Sequence, residues 1–180
     1  MKYNVVYADP PWSFGGKAPW DNQNKNGLYQ VMPDHKILAL PVRHICKDDC
    51  ALFLWTTDHH LPLALRVMQR WGFEYKNIAY VWAKYSKNGK LITLPTMGWT
   101  RKSTEICLLG IKGKIYQYTD SATERQFVQA IRREHSRKPD EIRDSIVRLI
   151  PDVPRVELFA RQKHPGWHSW GNEVTCDVSL

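Results

Sequence analysis

Apolar and polar positions along the chain fall into alternating blocks, and the blocks are of two kinds. Tyr3 to Ala8 is a short apolar run with β-branched Val5 and Val6, which predicts a buried strand. Ala51 to Thr56 (ALFLWT) predicts a second strand, Tyr75 to Lys84 a third and Glu105 to Ile111 a fourth. Phe127 to Arg132 fits a strand and also a helix, and Arg155 to Phe159 is a late strand. Between these runs the period lengthens. Leu61, Leu65, Met68 and Trp71 recur at helical spacing, with Gly72 as a stop. Asp34 opens a short helix through Ile37, Leu38 and Leu40 that meets Pro41. Pro139 starts a helix through Ile142, Ile146 and Leu149, with Asp140 and Glu141 in the first turn, where the helix dipole favours acids. Residues 13 to 33 and Ser86 to Arg101 are polar, glycine-containing loops, and the chain closes in a Gly/Trp/His-rich tail. A loop as long as 13 to 33 within a compact domain is functional or disordered.

Strands alternating with helices predict an α/β fold, a mainly parallel sheet flanked by helices, with residues 1–180 forming a single domain. No repeat, low-complexity tract or linker interrupts the chain. Such sheets bind ligands beyond the carboxyl ends of their strands. Both long loops and the segment at Asp9 follow strands directly, so the sequence expects them on one rim.

Charge adds a partner. With 26 basic and 18 acidic residues the net charge is +8, which makes a polyanion such as nucleic acid the first candidate. Arg125, Arg132, Arg133, Arg137, Lys138 and Arg143 crowd one stretch, and Arg101 and Lys102 sit beside Trp99. Basic groups interleaved with aromatics suit a surface that tracks a backbone and stacks bases. For any single arginine, a solvated face is the competing reading. Cys46, Cys50, Cys107 and Cys176 have neither zinc spacing nor a disulfide pattern, and His59-His60 with His164 and His168 lack a supporting carboxylate cluster, so no metal is expected. No apolar run approaches the ~20 residues of a membrane span, and the first residues lack a signal-peptide core, which points to a cytoplasmic protein.

Asp9-Pro10-Pro11-Trp12 follows the first strand without a gap. Two prolines fix φ and supply no N–H, so the chain leaves the sheet as a rigid platform bearing two unsatisfied carbonyls, a carboxylate and a large ring. Without its strand, the motif reads as a proline-braced exit with Trp12 packed into the core. With it, the motif suits transfer to an aromatic amine, a poor nucleophile because its lone pair is delocalised. The Asp9 carboxylate and the Pro10 carbonyl accept the two amino hydrogens and favour the positive charge that develops on nitrogen. Trp12 offers a face to an extruded base.

The chain resembles the DPPW-type adenine-N6 methyltransferase family, which includes the catalytic subunit of the eukaryotic mRNA N6-methyladenosine writer and bacterial and phage relatives. Further blocks follow in the family's order. Tyr29-Gln-Val-Met32 with Asp34 resembles its tyrosine-bearing loop, Ala51 to Thr56 the next strand, and Trp71-Gly-Phe the end of the following helix. Gly98-Trp99 with Glu105-Ile-Cys107 resembles the substrate-side loop and strand, and Arg137-Lys138-Pro139-Asp140-Glu141 the KPDE segment. Arg155 to Arg161, then Gly166-Trp167 and Gly171-Asn172-Glu173, resemble the cofactor strand and its tail. The resemblance implies a Rossmann-like class I methyltransferase fold with permuted motif order and S-adenosyl-L-methionine as cofactor.

It also implies roles. Asp9, Pro10, Pro11 and Trp12 are expected to be catalytic. Asp9, Phe159, Arg161, Asn172 and Glu173 are expected at the cofactor, with Lys138 on its carboxylate. Glu157 is either an organiser behind the site, the preferred reading, or a cofactor contact. Trp12, Tyr29, Trp99, Arg101, Lys102, Arg133 and Arg137 are expected at the nucleic acid. Departures are visible. Eight residues precede Asp9, where larger members carry a strand and an acidic turn, so that wall is expected absent or rebuilt. The turn after Arg161 is shorter, leaving His164 unmatched, and Glu173 stands where the mRNA enzyme has Gln. DNA is the preferred substrate because the compact chain resembles bacterial and phage relatives, with RNA the alternative. A silent nucleic-acid-binding scaffold is the reading from another class, and a homodimer or partner subunit is left open.

Overall fold

The structure is a computed structural model and describes residues 1–13, 31–93, 99–120, 123–133 and 137–180. Seven strands form one sheet: β1 (Tyr3–Ala8), β2 (Cys46–Thr56), β3 (Glu74–Tyr85), β4 (Thr104–Lys112), β5 (Phe127–Ile131), β6 (Arg155–Leu158) and β7 (His168–Trp170). Their order across the sheet is β5-β3-β4-β2-β1-β6-β7. β4 is antiparallel to both of its neighbours and every other pairing is parallel. This is the α/β, Rossmann-like methyltransferase arrangement expected.

Helices cover both faces. α1 (Asp34–Ala39) and α2 (Leu61–Arg70) pack with Val6, Ala8, Leu52 and Leu54 on one side. α3 (Asp140–Leu149) packs with Val5, Tyr7, Phe53 and Trp55 on the other. β1 is therefore buried on both faces, which is why it reads as an unbroken apolar run rather than an alternation. α2 ends as its sequence requires. Gly72 adopts φ +89°, its N–H donates to the Gln69 carbonyl and the Phe73 N–H to that of Met68, closing the last turn in a Schellman motif.

Two elements differ from the expectation, and one that the sequence left open is decided. β2 begins at Cys46, five residues early, because the register between β1 and β2 shifts between Tyr3 and Val5, and this irregularity absorbs the polar Lys47–Asp49 segment. Residues Phe127–Ile131 are a strand: their neighbour β3 supplies a parallel edge, which decides between two patterns the local sequence fits equally. The tail contains β7, a three-residue strand seen only through its pairing with β6. Among the described residues, no helix is long and apolar enough to cross a membrane.

Candidate active site

β1 lies between β2 and β6, whose crossovers depart in opposite directions across the sheet. In a parallel sheet this topological switch opens a crevice at the carboxyl ends. A cavity of about 600 Å³ occurs there, within the roughly 300–1,000 Å³ usual for ligand sites. Asp9 to Trp12 enter it from the end of β1, Thr56 and Thr57 from β2, Phe159 to Arg161 from β6, and Asn172 and Glu173 from beyond β7. Because β4 runs the other way, its beginning reaches the same rim and contributes Glu105.

The charged wall is an alternating chain. Lys138 Nζ lies 2.6 Å from Asp9 Oδ2 and 3.3 Å from Glu105 Oε2, and Lys84 Nζ pairs with Glu105 Oε1. Burial pushes the Asp9 carboxyl above its ordinary value, against the pull of Lys138, and Glu105 adds to the rise. Burial also opposes charge on Lys138, but Asp9 and Glu105 outweigh it and raise the ammonium above the usual lysine value. Glu105 is lowered, since Lys138 and Lys84 together overcome its burial.

The aromatic wall is packed rather than open. Trp12 is 5% exposed, its indole N–H donates to the Trp55 carbonyl at 3.1 Å, and His60 stacks on it at 5.7 Å between centroids. The expectation of two unsatisfied proline carbonyls is corrected. Pro10 O accepts the Trp12 N–H at 2.8 Å, closing a turn about Pro11, and Pro11 O accepts the Met32 N–H at 3.0 Å. A carbonyl has two lone pairs, so Pro10 O retains acceptor capacity.

The wall beyond β6 depends on close backbone approach. Phe159 leaves β6 at φ +62°, a conformation side chains rarely adopt, and its ring meets Trp170 edge-on at 5.3 Å. The Ala160 N–H donates to the Trp170 carbonyl at 2.9 Å. A Cβ on Gly171 would stand 2.2 Å from Ala160 O, so only glycine lets the tail run against this turn. Asn172 and Glu173 reach the cavity as a result, and Glu173 pairs with Arg161 at 2.9 Å.

The structure thus gathers Asp9, Pro10, Pro11, Trp12, Lys138, Phe159, Arg161, Asn172 and Glu173 around one cavity. Glu157 is not in its lining. Arg143 holds both of its oxygens, at 3.0 and 3.1 Å, and burial raises its carboxyl while Arg143 opposes the rise. The basic stretch is not one solvated face: Lys138 and Arg143 are turned inward. Arg133 and Arg137 pair with Asp140, and Lys102 with Asp58. Arg101 and Trp99 are exposed, Trp99 fully, and none of these five lines the cavity. Tyr29 lies outside the described residues, as does most of the loop at 13 to 33. Sequence reasoning missed Glu105 and Lys84, although a lone acid opening an apolar strand and a lone lysine near the end of one are visible signals.

The lining combines an acid and an ammonium with an amide, a guanidinium and an aromatic ring, groups that suit a ligand with an amino-acid part and a nucleoside part. The backbone cradle at Gly171 and Ala160 gives such a ligand a close-fitting wall, so these residues fit S-adenosylmethionine.

Comparison with known proteins agrees. The MT-A70 family model matches residues 3–173. The chain is 35% identical over 189 residues to the Type II methyltransferase M.MunI of a Mycoplasma species, covering 96% of this chain and 78% of that protein. It is 34% identical over 176 residues to the N(6)-adenosine-methyltransferase MT-A70-like of Arabidopsis thaliana, and 31% over 176 residues to the N(6)-adenosine-methyltransferase catalytic subunit METTL3 of Homo sapiens. Each of these two alignments covers 96% of this chain, but only 24% of the plant and 28% of the human protein. The chain belongs to the MT-A70 family of adenine-N6 methyltransferases, which use S-adenosylmethionine as methyl donor.

Proposed function

We propose that the protein methylates N6 of adenine in DNA, using Asp9 and Pro10 as acceptors for the amino group. The observation that carries the reading is the Asp9 carboxylate held by Lys138 at 2.6 Å at the rim of the cavity, one residue from a carbonyl with a lone pair to spare. When bound, S-adenosylmethionine supplies an electrophilic methyl group on a positively charged sulfur. The amino group donates one hydrogen bond to the Asp9 carboxylate and the other to Pro10 O, which directs the nitrogen lone pair toward the cavity and stabilises its developing charge. As the new N–C bond forms and the S–C bond breaks, one amino proton leaves the nitrogen for solvent. Fixed alignment of the two reactants can lower the barrier by ~7–11 kcal/mol.

Lys138 serves the cofactor's carboxylate and Asp9 together. Phe159, Arg161, Asn172 and Glu173 hold the nucleoside side, and Glu157 acts behind the site by holding Arg143, and with it α3, against β6. Trp12 forms a wall of the base site instead of an open stacking face, since His60 already covers one side of its ring. Tyr29, Trp99, Arg101, Lys102, Arg133 and Arg137 belong to the nucleic-acid side in this reading. An adenine in a duplex must leave its pair to reach such a cavity, which costs a few kcal/mol.

Identity supports DNA: the chain is 35% identical to the Mycoplasma Type II methyltransferase and 31% to the human N(6)-adenosine-methyltransferase subunit. Identity to the latter keeps adenosine in RNA as the second reading. A bacterial or phage-encoded cytoplasmic enzyme fits the first. The test is incubation with isotopically labelled S-adenosylmethionine and matched DNA and RNA, followed by nucleoside mass analysis. Labelled N6-methyldeoxyadenosine is expected; label in N6-methyladenosine alone moves the enzyme to RNA, and label in neither ends the reading.

A further inference from the structure

We infer that Lys84, which does not line the cavity, is a positioning residue that holds the Lys138 ammonium on Asp9 by neutralising Glu105. The inference rests on the methyl-transfer reading above and deepens it. Two carboxylates and two ammonium groups alternate from the cavity inward, Asp9 to Lys138 to Glu105 to Lys84, and the run is balanced in charge. The side chains of the two lysines are each 10% exposed and that of Glu105 is 18% exposed, so water screens them little. Two acids therefore compete for Lys138. Their distances from its Nζ, 2.6 Å for Asp9 and 3.3 Å for Glu105, show Asp9 ahead.

The reason lies one step further in. Glu105 has a second cation, and its other oxygen is taken by Lys84, so part of its charge is already matched and its claim on Lys138 is weaker. Lys84 is itself fixed. Its backbone N–H donates to Ser103 O at 2.9 Å, its carbonyl accepts from Ile92 at 2.8 Å, and its ammonium stands 5.3 Å from the Trp82 ring centre. Strand geometry makes the bridge possible: Lys84 near the end of β3 and Glu105 near the start of β4 meet because the two strands run in opposite directions.

Removing Lys84 leaves two buried acids and one ammonium. Lys138 then shifts toward Glu105, and Asp9 becomes easier to protonate. The other charged groups acting on Asp9 are Arg161 and Glu157, with the buried Cys107 thiol also close, and none of them changes. Because Asp9 must be ionised to accept the amino hydrogen, the acid limb of the rate profile reports its protonation.

The experiment measures kcat against pH for the parent, Lys84→Met, Lys84→Arg and the double variant Lys84→Met with Glu105→Gln. Lys84→Met is expected to move the acid limb up by about one pH unit, about tenfold in rate on that limb, because a carboxylate that loses a nearby cation holds its proton more tightly. Lys84→Arg keeps the charge and is expected to restore the parent limb. The double variant removes one charge of each sign, leaves Asp9 without a competing carboxylate at 105, and is expected to restore the limb even if its rate is lower. An acid limb in Lys84→Met that coincides with the parent's overturns the inference. If Lys84→Met does not fold, a double variant whose acid limb stays displaced from the parent's overturns it as well. A parent that transfers no methyl group to any nucleic acid defeats the functional reading instead, so the two failures are distinct.

Discussion

At the scale of single residues, the site depends on two positions that tolerate little change. Asp9 is the anionic acceptor, and Asp9→Asn keeps its shape while removing its charge. The loss of one such transition-state contact typically costs about 10²–10³ in rate, so kcat is expected to fall by that factor with cofactor affinity changed far less. Steady-state turnover beside calorimetry of S-adenosylmethionine checks this, and a rate within a few fold of the parent would remove Asp9 from its role. Gly171 acts through what it lacks. In Gly171→Ala the new methyl collides with the Ala160 carbonyl, so the bond from Ala160 N–H to Trp170 O must stretch and the tail must retreat. A destabilisation of about 1–3 kcal/mol is expected, as for overpacking elsewhere, together with weaker cofactor binding. Thermal melting with and without cofactor reads both effects.

At the scale of elements, α3 is tied to the sheet by charge as well as by Ile142 and Ile146. Arg143 reaches both oxygens of Glu157 on β6 and also Asp140 at 2.9 Å, with side-chain exposures of 9% for Arg143 and 14% for Glu157. Breaking a buried pair from one side costs about 3–5 kcal/mol, because the other charge stays behind unpaired. Arg143→Met is therefore expected to lower urea stability by about that amount, and Arg143→Met with Glu157→Gln to lower it less. A double variant no more stable than the single one would show that Glu157 carries no uncompensated charge. These ties also mark what sequence could and could not foretell. β1, α2 and α3 were legible because each is specified locally, by an apolar run, a helical stripe with Gly72, and a proline with acids in the first turn. β7 and the early start of β2 were not, because β7 exists only through its pairing with β6 and the first residues of β2 only through the shifted register with β1. The candidate site divided likewise. Asp9 to Trp12 announced themselves as a contiguous motif, whereas Lys84 and Glu105 matter only once two antiparallel strands bring them together. Only the fold sorts the basic stretch, because charge counted along a chain does not tell which side chains turn inward, as Lys138 and Arg143 do.

At the scale of the whole molecule, the +8 charge remains a statement about partners. With about three phosphate contacts, affinity for nucleic acid is expected to fall roughly 40-fold over a fourfold rise in salt. Binding isotherms at several salt concentrations measure the slope, and a flat response would mean that phosphate contacts contribute little. The position of β1 has a consequence in time. Val5 pairs with Ala51 on one side and with Arg155 on the other, so the strand that presents the catalytic motif is bordered by segments made early and made late. During synthesis Asp9 emerges well before Phe159, Arg161 and Asn172, which complete the cavity it lines. Pairings across so long a stretch of chain form slowly, because loop closure must precede the contacts that reward it. Until then one edge of β1 stands open, an apolar strand with unpaired backbone groups and a natural place for misassociation. The cavity thus exists only once β6 and the residues after β7 have been made, and a nascent chain halted before β6 has the motif but no site.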